Sequence, residues 1–215
     1  KASVEQGLEA ALESALAHWL YHDEIWLRGN AKAKAEILLA IARVRHALVL
    51  FGGIVPRKAT THLRALLNDA DAVLLAADTA DEALFRTEVV GAKLALTEWL
   101  VQRGWRSFLN EAGEKKIAGS FKRFADIHLS RVAAELRSAV QHLAIEDAAD
   151  QLPKLSRDID SVQLLAGAYG DAVAPWLENW QELQRAIEHD DRSVFEYFRR
   201  QALAAEPFWL HSGKR

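Results

Sequence analysis

Apolar positions along this chain recur at the three-and-four spacing of an α-helix, and strand-like alternation of β-branched residues is nearly absent. Ala, Leu and Glu dominate, while Gly and Pro number only 11 and 4 in 215 residues. Good helix formers with few breakers predict an all-α chain. The breaks that do occur set the segments. A first helix starts near Ser3 and stops at Gly29-Asn30, where Asn30 can cap a second that runs to Gly52-Gly53. Pro56 interrupts the chain, and a third helix follows to about Ala77. Asp78 or Thr79 caps a fourth that ends at Gly104. A short segment through Trp105, Phe108 and Leu109 leads to a turn near Gly113. A fifth helix follows Ser120 to roughly Leu143. Pro153 suits the first turn of a sixth, with Asp150 as its cap and Gly170-Asp171 as its close. A seventh runs from about Pro175 to His189, and an eighth through Ala204.

Eight main helices divide into four and four near Gly104. In each half the third helix ends in leucine spacing followed by acids: His62-Leu-Arg-Ala-Leu-Leu-Asn-Asp-Ala-Asp71 and Leu183-Gln-Arg-Ala-Ile-Glu-His-Asp-Asp191. This reads as a weak internal duplication. Helices joined by short turns pack antiparallel, so the expected architecture is a single domain over 1–215 built as two pseudo-symmetric four-helix bundles, about 1–104 and 105–215.

Charge changes the picture next. From Arg28 to Leu67 lie eight basic residues (Arg28, Lys32, Lys34, Arg43, Arg45, Arg57, Lys58, Arg64) and one acid, Glu36. That stretch carries +7 in a chain of net charge −3. Segregated charge makes a field that attracts ligands of opposite sign. Arg43 and His46 share a helix face, as do Arg57, Thr60, Thr61 and Arg64, with Lys58 and His62 on a stripe beside them. Guanidinium forks suit phosphate oxygens, and the helix start after Pro56 adds N–H donors. A second basic cluster contains Lys122, Arg123 and Arg131, with Arg123, Ile127 and Arg131 spaced by four. The alternative is a solvated basic face, or arginines paired with Asp69, Asp71 or Glu88.

The segment Arg43-Val-Arg-His-Ala-Leu-Val-Leu-Phe51, a Pro break, and then Leu63-Arg-Ala-Leu-Leu67 before acids resembles the CHAD domain, the conserved histidine α-helical domain. The likeness covers essentially the whole chain. Phe51-Gly-Gly-Ile-Val-Pro-Arg-Lys58, Ser120-Phe-Lys-Arg-Phe-Ala-Asp126 and Phe208-Trp-Leu-His-Ser-Gly-Lys-Arg215 are similar to the C-terminal half of bacterial CYTH–CHAD inorganic triphosphatases. The resemblance implies a helical module that binds inorganic polyphosphate, or another polyanion, through basic surfaces, next to a metal-dependent CYTH enzyme domain. The CYTH signature Glu-x-Glu-x-Lys occurs nowhere in this sequence. The chain departs from the family pattern in both halves. Arg43 and Arg45 keep two of the expected arginines, while the early His and Arg fall on apolar positions around Ile37 to Leu39. In the second half Lys154 and Arg157 remain, but Asp158, Ile159, Asp160 and Ser161 stand where arginine is expected.

Other chemistries find little support. With no Cys there is no thiolate nucleophile, disulfide or cysteine metal site. No G-x-S-x-G or phosphate-cradling glycine loop is present. His18 and His22 have an i, i+4 spacing that can bind metal, but no third ligand is identifiable in the sequence, so no metal and no cofactor are expected. The acidic total and the lack of basic-aromatic interleaving argue against nucleic acid. No apolar run is long enough for a membrane span, and no leader is visible at Lys1-Ala-Ser-Val-Glu5, so the cytoplasm is the expected compartment. The absence of an initiator Met, and of any Met, reads as a piece of a longer protein. The seven tryptophans (Trp19, Trp26, Trp99, Trp105, Trp176, Trp180, Trp209) are expected in the core, or in part at a dock for the enzyme domain. The leading expectation is a non-catalytic polyphosphate-binding module that uses Arg43, Arg45, His46, Arg57, Lys58, His62, Arg64, Lys122, Arg123 and Arg131. The alternative is an interaction domain that packs on the CYTH domain and has lost phosphate binding. Convergence of Arg43, Arg45, Arg57, Lys58 and Arg64 on one concave surface with bound sulfate or phosphate would favour the first; dispersed or salt-bridged cations would favour the second.

Overall fold

A computed structural model describes residues 1–210, and the secondary structure is helical. The sequence resemblance at His211 to Arg215 falls outside the described residues. Eight helices have 13 residues or more: α1 (Val4–Leu27), α2 (Ala33–Leu50), α3 (Thr61–Ala76), α5 (Thr87–Val101), α7 (Phe121–Val140), α9 (Leu152–Leu165), α10 (Ala174–Glu188) and α11 (Arg192–Ala204). Three shorter ones, α4 (Ala80–Ala83), α6 (Glu111–Ile117) and α8 (Ile145–Ala148), lie between them. Among the described residues the only β-type pairing is an isolated antiparallel bridge between Ser3 and Ser120. No described helix is long and apolar enough to cross a membrane.

Local chemistry accounts for the boundaries. α1 ends where Gly29 turns left-handed (φ 101°), and the Asn30 N–H donates to the Ile25 carbonyl five residues back. A side chain at Gly29 would be strained in that conformation. Ser120 caps α7 by accepting from the Arg123 N–H, and Asp191 caps α11 through the Ser193 N–H. Pro153 and Pro175 occupy the first turns of α9 and α10, where a missing N–H costs no helical bond.

Three sequence readings need correction. The fourth predicted helix breaks at Leu84–Arg86: Leu84 is buried, and Arg86 takes an extended conformation ahead of α5. No Gly or Pro marks this break. The turn expected near Gly113 is helix α6, capped by Asn110, whose Oδ1 accepts from the Gly113 N–H at 2.9 Å. Glu111 and Glu114 at its start and Lys115 and Lys116 at its end suit the helix dipole. Asp150 does not cap α9; it lies in a 3-10 turn, and Gln151 precedes the helix without a side-chain bond.

The chain divides into two compact units, Glu5–Ala118 and Lys1–Val4 with Gly119 onward. Trp105 lies within the first unit. Its ring is fully buried, and its indole N–H donates to Glu5 Oε2 at 3.3 Å. Gly104 is required beside it: a Cβ there would lie 2.2 Å from the Trp99 ring.

In the first unit α3 packs on α2 and α5 around Ile37, Ile41, Phe51, Leu67, Leu74 and Leu96. Polar ties hold α1. Glu5, 7 % exposed, receives Trp105 and Arg106 (2.7 Å), and Asp23 pairs with Lys93 of α5 at 2.7 Å. In the second unit α9 packs against α7 and α10, and α10 against α11. Its core contains Leu129, Leu136, Ile159, Val162, Trp180 and Leu183. The residue 1–4 segment joins this unit through Val4 N–H to Gly119 O (2.9 Å) and Phe121 N–H to Ala2 O (3.0 Å).

Candidate functional site

The basic stretch of the first unit is not uniform. Arg28 pairs with Glu24 on its own helix. Lys34 donates to the Leu75 and Ala77 carbonyls, so its charge closes the C-terminus of α3. Arg45 leans from α2 onto α3, donating to Asn68 Oδ1 at 2.9 Å and pairing with Asp71 at 3.5 Å. This is the neutralised arrangement that the sequence left open for Asp71. Glu88 pairs instead with Arg86. Arg43 and His46 are half-buried on α2, and each has its own interaction partner.

The elbow between α2 and α3 differs. Arg57 and Lys58 lie in a 3-10 turn (Arg57–Ala59) and are exposed, as is His62 in the first turn of α3. Arg64 folds back over the turn: Nε donates to the buried Thr60 hydroxyl at 3.0 Å and Nη2 to the Arg57 carbonyl at 3.1 Å. The Thr60 hydroxyl donates in turn to that carbonyl at 2.9 Å, so it does not cap α3. Lys58 Nζ sits 5.9 Å from the Phe108 ring centre, a contact that leaves its charge intact. Among the described residues, Arg57, Lys58 and Arg64 make no ion pair with a carboxylate. The turn thus fixes a guanidinium beside two exposed cations, with no acid among the described residues paired to them.

The cluster of the second unit is more compromised. Lys122 lies 3.1 Å from Asp126 and over the Tyr169 ring, and the Tyr169 hydroxyl donates to the same carboxylate. Burial, followed by the Asp126 contact, pushes the Tyr169 phenol well above its usual range. Arg123 and Arg131 are exposed on α7, and Arg131 contacts the His128 ring at 3.2 Å. Burial, then Arg131, pushes the His128 pKa down.

Asp158 of α9 points inward and is 4 % exposed. Burial first, then the Glu135 carboxylate, pushes its pKa up to about 6, against the pull of Arg157 and Lys154. A carboxyl raised on folding stabilises the protein below its unfolded pKa near 4 and loses that contribution as pH rises through about 6. Asp158→Asn is therefore expected to raise stability at pH ~7.5 by about 2 kcal/mol, with the gain vanishing near pH ~4. Urea melts of both proteins at the two pH values check this; equal stability at the higher pH would contradict it.

On α1, His18 and His22 are joined by a residue invisible as a neighbour in the sequence: Glu36 of α2, whose Oε2 lies 2.8 Å from His18 Nε2. Pairing of the two helices supplies the third polar group that local spacing could not show.

Among the described residues the protein is all-α, and its α2–α3 elbow holds Arg57, Lys58 and Arg64 without a carboxylate partner. The CHAD domain family model matches residues 10–200, and the chain belongs to that family. Its fold is similar to that of the CHAD domain from the plant Ricinus communis, with a TM-score of 0.63, 16 % sequence identity, and coverage of 94 % of this chain and 85 % of that one.

Proposed function

We propose that this domain binds inorganic polyphosphate at the α2–α3 elbow, through Arg57, Lys58, His62 and Arg64, and does no chemistry of its own. The observation that carries the reading is the set of three cations, one pre-positioned by Thr60 and the Arg57 carbonyl, without a carboxylate partner. Pre-positioning lowers the ordering cost of a bidentate phosphate contact. Arg45 leaves the expected site because Asp71 holds it. Lys122 leaves it because Asp126 does. Arg123 and Arg131 form a separate, weaker basic face on α7. In a longer protein the module would hold polyphosphate near a CYTH triphosphatase domain in the cytoplasm.

Ionic capture should be salt-sensitive. With three phosphate contacts, affinity for long-chain polyphosphate should fall about 20-fold between ~50 and ~200 mM salt, by the counterion-release rule for flexible polyanions. Titration of the chain at both salts tests this. Binding that is absent at low salt, or indifferent to salt, would contradict it.

A second reading is an interaction domain that packs on the enzyme domain. The observation in its favour is an apolar stripe on α5: Val90, Leu94 and Val101 share a face and are exposed. In this reading phosphate binding has been lost, so the polyphosphate titration separates the two.

A further inference from the structure

We infer that His18, His22 and Glu36 form a binding site for a divalent transition metal of the zinc type, which would tie α1 to α2. One ligand atom from each residue falls within 4.8 Å of the other two, and all three side chains are half-buried. The helical i, i+4 spacing puts both imidazoles on one face, with ring centres 4.1 Å apart. Glu36 then approaches from a different helix, so the set is closed by tertiary packing.

The hydrogen bonds favour ligation. His22 Nδ1 lies 2.7 Å from the His18 carbonyl. A carbonyl can only accept, so Nδ1 carries the proton and the Nε2 lone pair is left available. Metal-bound histidines are oriented in this way, with the second nitrogen donating to a backbone oxygen. His18 Nε2 already faces the Glu36 carboxylate, so a metal would replace the proton shared between them. Two imidazoles and one carboxylate are borderline donors that suit Zn²⁺, Ni²⁺ or Cu²⁺ better than Mg²⁺ or Ca²⁺, and a tetrahedral ion would keep one position for water.

The test is calorimetric titration of tag-free, chelator-stripped protein with Zn²⁺, alongside thermal melts with and without Zn²⁺. Binding to the native state raises Tm by mass action. One equivalent of Zn²⁺ should bind and raise Tm, while His22→Ala and Glu36→Gln should each weaken binding about tenfold or more, as expected for loss of one ligand or its hydrogen-bonded support. Melts of both variants in chelator establish that they are folded. Absence of stoichiometric binding, or binding and Tm shifts unchanged in both folded variants, would overturn the inference.

Discussion

Lys93→Met is expected to destabilise the first unit by about 3 kcal/mol at neutral pH, because it strands a buried carboxylate. Asp23 is 8 % exposed, and Lys93 Nζ at 2.7 Å is its counter-ion. Burial raises the Asp23 pKa, and Lys93 opposes the rise without cancelling it. Removing the ammonium leaves burial as the leading influence, so the native carboxyl should hold its proton to still higher pH. A raised acid contributes stability below its unfolded pKa and loses it as pH rises through the folded one. The deficit of Lys93→Met should therefore be largest at neutral pH and shrink in acid. Pairing the change with Asp23→Leu should recover much of the loss, since a buried pair replaced by apolar groups of similar size is often neutral. Denaturant melts of the two single variants and the double variant decide it. A deficit that does not vary with pH, or a double variant worse than the sum of the singles, would contradict this reading of the pair.

The helical character of the chain was legible because its punctuation is chemical. Ser120, Pro153 and Pro175 mark helix starts wherever they stand, and Gly29 marks a stop through its left-handed backbone. The break at Leu84–Arg86 was illegible because no Gly or Pro marks it, and only the structure shows Arg86 in an extended conformation. Gly104 illustrates a middle case. The sequence shows a helix stop, while the structure shows that the ring of Trp99 leaves no room for a side chain.

For the candidate site, charge density singled out a stretch of the chain but could not sort its members. Lys34 and Arg45 look like ligand-binding residues in one dimension. In three, one closes a helix and the other meets Asp71. Arg64 also looked like a member of a simple stripe, yet its guanidinium is set by Thr60 and the Arg57 carbonyl. Spacing placed these residues together, and only the turn geometry shows why the charge is held. Asp158 was visible as a departure from the family pattern, but its burial against Glu135 was not. Glu36 was visible only as the lone acid in a basic run, whereas its place beside His18 depends on how α1 meets α2.

The reading of the elbow as a phosphate site predicts a local effect, distinct from that of net charge. Arg57→Glu/Lys58→Glu reverses two exposed cations at the elbow and leaves Arg64, which braces the turn, in place. Arg28→Glu/Lys32→Glu reverses two exposed cations elsewhere in the same basic run, with the same change in net charge. Charge-assisted contacts contribute about 1.5–3 kcal/mol each, so the elbow variant should lose roughly 100-fold or more in polyphosphate affinity. The control should lose only the few-fold expected of long-range, screened electrostatics. Side-by-side titration of the wild type and both variants with long-chain polyphosphate at low salt is the most direct measurement. A large loss confined to the elbow variant is the predicted result; equal losses in the two variants, or none in either, would contradict a phosphate site at Arg57–Arg64.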